Sequence, residues 1–173
     1  LYTRTGRKPG GVTDGSRSPA RKNEFAVGDR TFRLDANRKV TADGAADLVR
    51  EIKEAGAQWL YLPPDSFLGS FASDVIIPAA IAAGLPTFAS TEQLMEAGAL
   101  AGLVSRYQSI GLFTAYKAEQ ILVGKVAPAA IPIETLKRFS LQIRMDAAEK
   151  LKFPPPLPML NYAELIKGAD RHP

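Results

Sequence analysis

Three short polar clusters carry the groups with which this sequence could hold a small molecule. Asp65 and Ser66 follow the apolar run Trp59-Leu60-Tyr61-Leu62 and the pair Pro63-Pro64. Ser90, Thr91 and Glu92 follow Thr87-Phe88-Ala89, and Ser105, Arg106 and Tyr107 follow the apolar run that begins at Leu100. The set supplies hydroxyls, carboxylates, a guanidinium and a phenol ring. A carboxylate binds an ammonium group, hydroxyls and helix-start amides bind a carboxylate, and a ring packs on an apolar side chain. This is chemistry for grasping an amino-acid-like ligand, with no bond made or broken.

Each residue also has a purely structural role open to it. Asp65 suits the cap of a turn or helix after Pro64, and Ser90 the cap of the helix that follows it. Glu92 in a first helical turn is favoured by the macrodipole. Arg106 either clamps an anion or sits solvated, and Tyr107 either walls a pocket or packs against a neighbouring lobe.

Composition removes the main catalytic alternatives. The chain has no cysteine, and its one histidine is His172, at the C-terminal end. An internal Ser-His-Asp triad, a thiolate nucleophile and a Cys- or His-ligated metal are therefore excluded. Gly44 is isolated, and no glycine-rich phosphate loop follows a strand. No catalytic residue, metal or cofactor is expected.

The formal charge is +4, and its excess lies at the N-terminus, in Arg4, Arg7, Lys8, Arg17, Arg21, Lys22 and Arg30. Glycine and proline, rather than aromatic residues, interrupt that cluster, so it reads as a solvated loop and not a nucleic-acid face. No apolar stretch reaches the roughly 18 residues of a membrane span. Asp43, Asp47, Glu51 and Glu54 mark the solvated face of a helix.

Behind the polar clusters stand elements that must position them. Thr31 to Leu34 suggests a short strand, and Thr41 a helix N-cap. Ala45, Leu48, Val49 and Ile52 then recur at helical period, and Gly56 suits a left-handed C-cap. Trp59–Leu62 is a continuous apolar run, as in a strand covered on both faces, with Trp59 and Tyr61 as core or sheet-face residues. A helix from about Phe71 to Ala83 carries Pro78 and ends at Gly84. A strand follows Pro86.

Ser90-Thr91-Glu92-Gln93 has the form of a capping box with Ser90 as the cap. Leu100–Ser105 is a further strand. Ile110, Phe113, Lys117 and Ile121 mark one side of a long helix ending at Gly124. Leu141–Met145 alternates like a strand, Asp146–Leu151 suggests a short helix, and Met159–Ile166 a final helix. Strands near 32, 58, 86 and 101 with helices between them are βαβ units, which force a mostly parallel sheet with helices on both faces. Ligands bind beyond the carboxyl ends of such strands. That rule selects Asp65, Ser66, Ser90, Thr91, Glu92, Ser105 and Tyr107, and adds Tyr2 and Thr3 if Leu1 ends a strand.

The ordered series Leu60-Tyr61-Leu62-Pro63-Pro64-Asp65, Gly84–Ser90, Glu96–Ala101, Ile110-Gly111 and Gln120–Lys125 resembles the ABC transporter substrate-binding protein family, whose members include tryptophan- and phenylalanine-binding lipoproteins. Ile131-Pro132-Ile133-Glu134 and Leu141–Leu151 fit the family's closing segment. The resemblance implies a type I periplasmic-binding-protein fold, in which two α/β lobes close on a ligand. It makes 31–135 the second lobe, 136–173 a crossover strand and helix tail toward a first lobe, and 1–30 an irregular segment. The start at Leu1, without a leader, is read as that of a fragment.

By the same resemblance the loops at Asp65 and Ser90-Thr91 face the cleft, the partner is a membrane ABC permease, and the location is periplasmic or membrane-anchored outside the cytoplasm. The expected function is capture of an amino acid or small carboxylate for import. An enzyme on a doubly wound fold that uses carboxylates, and the sensor lobe of a regulator or receptor, remain the alternatives.

Overall fold

The computed structural model describes residues 27–32, 35–37 and 41–167. Tyr2, Thr3, the basic N-terminal cluster up to Lys22, and His172 lie outside the described residues, as do Arg33 and Leu34 of the first expected strand. Thr31 and Phe32 are described and are not in a strand. Phe32 is buried, its ring edge-on to Phe67 at 5.2 Å.

The first helix among the described residues, α1 (Ala45–Glu54), starts later than Thr41 suggests. Gly44 takes the N-cap position with φ +76°, a conformation that glycine adopts without strain. Ala45 and Val49 are buried, with Leu48 and Ile52 packed beside them, so the helical apolar period does bury one face. Gly56 closes the helix at φ +88°.

After β1 (Leu60–Leu62), the chain is helical through α2 (Ser66–Phe71), a π turn (Ala72–Ile76) and α3 (Ile77–Ala82). The segment starts earlier than Phe71 because Asp65 caps it. Its π turn has a cause in Pro78. A proline has no N–H for the carbonyl four residues back and its ring collides with it, and the π turn lies directly ahead of it, with the Ile77 amide bonded to the Ala72 carbonyl.

Then follow β2 (Thr87–Ala89), α4 (Glu92–Glu96), β3 (Ala101–Val104), the long α5 (Tyr107–Leu122) and a 3-10 turn (Pro128–Ala130). The described residues end in β4 (Ser140–Arg144), α6 (Met145–Leu151), α7 (Leu157–Leu160) and β5 (Glu164–Ile166). The single helix expected over 159–166 is therefore a short helix and a strand, separated by the turn at Asn161.

Among the described residues five strands form one sheet in the order β1-β2-β3-β4-β5. All neighbours run parallel except β3 and β4. Gly102 is required in the middle. A Cβ there would meet the Ala89 carbonyl oxygen and the Met95 sulfur, each at 2.8 Å. The segment from 136, expected to lead toward another lobe, contributes β4 and β5 to this same sheet.

Apolar packing lies on both sides of the sheet. The larger core joins Leu60, Leu62 and Ala89 to Val49, Leu68, Ile76, Ile77 and Leu94, from α1 to α4. The smaller joins Ala101 and Ile143 to Ala147 and Ala148 of α6. Trp59 and Tyr61 are not core residues. Their face of β1 is exposed, with Trp59 edge-on to Phe153 at 5.4 Å. Periodicity cannot separate a strand covered on both faces from one with large exposed rings.

Candidate functional site

Parallel pairing puts the carboxyl ends of β1, β2 and β3 on one edge. The antiparallel β4 brings its own start to that edge, since Val104 pairs with Ser140. The loops bearing Asp65, Ser90 and Tyr107 thus emerge along a common rim.

Local bonding fixes each group. The Asp65 carboxylate caps α2, accepting from the Leu68 amide at 2.9 Å, and Ser66 is the first helical residue. Ser90 does not cap α4. Its hydroxyl donates to the Leu62 carbonyl at 2.8 Å, stitching the ends of β1 and β2 together. The cap is Thr91, whose hydroxyl accepts from the Leu94 amide at 3.3 Å. Both residues carry a hydroxyl, and the Leu62 carbonyl, which also accepts from the Ser90 amide at 3.2 Å, takes the first of them.

Glu92 reaches across the rim. Its carboxylate accepts from the Tyr107 amide at 2.8 Å, joining the start of α4 to the start of α5. Tyr107 itself is 54% exposed. The Ser105 hydroxyl donates to the Arg138 carbonyl at 3.3 Å. Ser90, Thr91, Glu92 and Tyr107 are thereby connected, and Asp65 and Ser66 follow three and four residues behind Leu62.

The sequence reading missed Glu164. It lies at the start of β5, where Arg106 donates to both its carboxylate oxygens at 2.8 Å and Gln142 to one at 3.3 Å. These bonds, Arg106 foremost, hold the Glu164 carboxyl below its usual range. Arg106, a candidate anion clamp, has a carboxylate already in its grasp. The break at Asn161 was the signal that 164–166 need not continue a helix.

A separate cavity of about 570 Å³ opens between α5 and the connector that follows it. Ile110, Phe113, Lys117 and Ile121, the side marked in the sequence, face Ile131 and Phe139 there. Lys117 pairs with Glu134, whose carboxyl is held below its usual range by that bond. Of the expected site residues, Ser105 alone lines this cavity. Among the described residues no group of three or more His, Cys, Asp or Glu is placed to hold a metal ion.

Residues 43–166 match the family described as ABC transporter substrate binding protein. The chain belongs to that family. A comparison with curated proteins finds no match. Among solved structures, the chain is similar to a conserved domain protein from Vibrio cholerae, at 26% identity and a TM-score of 0.69, covering 84% of this chain and 46% of that one.

It shares its fold with a substrate binding protein with adhesive properties from Clostridium difficile, solved ligand-free and open. The identity is 21% and the TM-score 0.65, over 87% of this chain and 47% of that one. A Streptococcus pneumonia ABC domain in complex with L-Trp is alike at 20% identity and a TM-score of 0.65, covering 84% and 47%. The chain thus spans less than half the length of the solved structures it matches.

Proposed function

We propose that this chain supplies one face of a cleft that captures a small amino acid or carboxylate for an ABC-type importer. The observation that carries the reading is the shared rim, where Asp65, the Ser90–Glu92 turn and Tyr107 lie at the carboxyl ends of three parallel strands. In an open α/β sheet this is where ligands sit.

Asp65 and Glu92 suit the ammonium of an amino acid, and the exposed Tyr107 ring suits an apolar or aromatic side chain. Contacts to this rim and to an opposing lobe stabilise the closed arrangement, and the ligand shifts the population by that difference. The closed form then docks on a permease at the extracytoplasmic face of a membrane. The ligand leaves as it came, so no catalytic residue takes part.

Thermal-shift screening tests the reading, with L-tryptophan as the first probe because a relative was solved with it. A ligand present at about 100 times its Kd adds roughly 2.7 kcal/mol. Stabilisation by an amino acid, lost in Asp65→Asn or Tyr107→Ala, supports capture. No response to any amino acid or small carboxylate contradicts it.

A further inference from the structure

Arg106 stands between Ser105 and Tyr107, at the cap position of α5, and its side chain is spoken for. One of its nitrogens donates to both carboxylate oxygens of Glu164 at 2.8 Å. Glu164 opens β5, which runs parallel to β4 with Glu164 beside Gln142, so the start of β5 lies toward the same edge of the sheet as Ser140 and Val104. The Gln142 amide donates to the same carboxylate at 3.3 Å. Gln142 is buried, and it anchors Glu164 from a fixed place in the sheet. The nearby Arg138 meets Ser105 through its carbonyl oxygen.

A guanidinium is the side chain best shaped to take the carboxylate of a ligand, through its fork of donors. Here a carboxylate of the chain itself fills that role. A ligand carboxylate must displace a partner that is tethered in the same molecule and always present. In the three loops of the rim the other charged groups are Asp65 and Glu92, both acidic. Each accepts from a backbone amide, of Leu68 and of Tyr107, which orients a carboxylate without cancelling its charge. Tyr107 adds an aromatic ring, whose face attracts cations.

Taking the rim as the capture face proposed above, we infer that Glu164 determines the charge of the ligand. By occupying Arg106 it denies the rim an anion clamp, so the rim selects an organic ammonium ion over a carboxylate of the same shape. Glu164 acts through Arg106, as a positioning residue.

An amide NMR titration of this chain at neutral pH with three indole probes provides the test. Tryptamine carries the ammonium alone, L-tryptophan both charges, and indole-3-propionate the carboxylate alone. The Leu68, Leu94 and Tyr107 amides report binding. Tryptamine should bind roughly fivefold or more tightly than indole-3-propionate. Glu164→Gln frees Arg106 and should erase or invert that ratio, whereas Glu164→Asp keeps a carboxylate and should keep the wild-type order. Adding Arg106→Lys to Glu164→Gln retains the charge without the fork and should give back most of the change. Circular dichroism checks that each variant is folded.

Three results would overturn the inference while leaving capture at the rim in place. One is indole-3-propionate binding the wild type as tightly as tryptamine. Another is an unchanged ratio in Glu164→Gln. The third is a change kept in full when Arg106→Lys is added, which assigns it to bulk charge. No shift of these amides with any of the three probes also removes the inference, and the wider amino-acid screen then decides the capture reading by itself.

Discussion

One guanidinium nitrogen of Arg106 lies 2.8 Å from each carboxylate oxygen of Glu164, tying the start of α5 to the start of β5. Both side chains are about half exposed, and an exposed pair of this kind contributes at most about 1 kcal/mol. Because the bond holds the Glu164 carboxyl below its usual range, its contribution is present above the unfolded carboxylate pKa. It is lost as pH falls through the folded value. The stability difference between wild type and Glu164→Gln should stay constant above about pH 5 and shrink as pH falls through the acid end of the carboxylate range. Thermal melts across that range check this, and a difference that persists at the acid end contradicts it.

Arg144 makes a stronger case because it is buried. It donates to the Met95 carbonyl from two nitrogens, at 3.1 and 2.5 Å, and lies 3.7 Å from Asp146. Arg144→Met keeps much of the volume but leaves that carbonyl without these donors, at a cost of about 2–3 kcal/mol. Urea titration should show a lowered midpoint, with Arg144→Lys intermediate. A midpoint within error of wild type would remove Arg144 from the support of α4.

The centre of the sheet yields a steric prediction. Gly102→Ala places a methyl against the backbone oxygen of Ala89 and the sulfur of Met95. The sulfur can move and the backbone cannot without disturbing the β2–β3 pairing, so a loss of about 1–3 kcal/mol is expected. Unchanged stability in denaturant would mean that β2 and β3 are further apart than described.

These substitutions also separate what was legible in the sequence from what was not. β1, β2 and β3 were readable because Pro63, Gly84, Pro86 and the preceding helical patterns punctuate short apolar runs. The rim followed from topology alone. The cap of α4 was displaced from Ser90 to Thr91, since local pattern cannot say that Ser90 meets the Leu62 carbonyl, 28 residues earlier in the chain. Glu164 was hidden because Met159–Ile166 is short and apolar at helical spacing, and pairing with β4 decides its form. The exposure of Trp59 and Tyr61 depends on which face the helices cover, which no local pattern encodes.

Asp65 can be divided into its two roles. Asp65→Ala removes the acceptor for the Leu68 amide and should cost about 1 kcal/mol, whereas Asn caps about as well as Asp. If the carboxylate grips an ammonium, Asp65→Asn keeps the melting temperature and loses affinity. Calorimetric titration of both variants checks this. An Asn variant with full affinity would confine Asp65 to capping.

The central claim is tested most directly by a backbone-amide NMR titration of the chain with a panel of amino acids. The account predicts shifts gathered at the Leu68, Leu94 and Tyr107 amides, the groups bonded to Asp65, Thr91 and Glu92, while Ala45–Glu54 stay unmoved. Shifts confined to the cavity between α5 and its connector, with those three amides still, would contradict it.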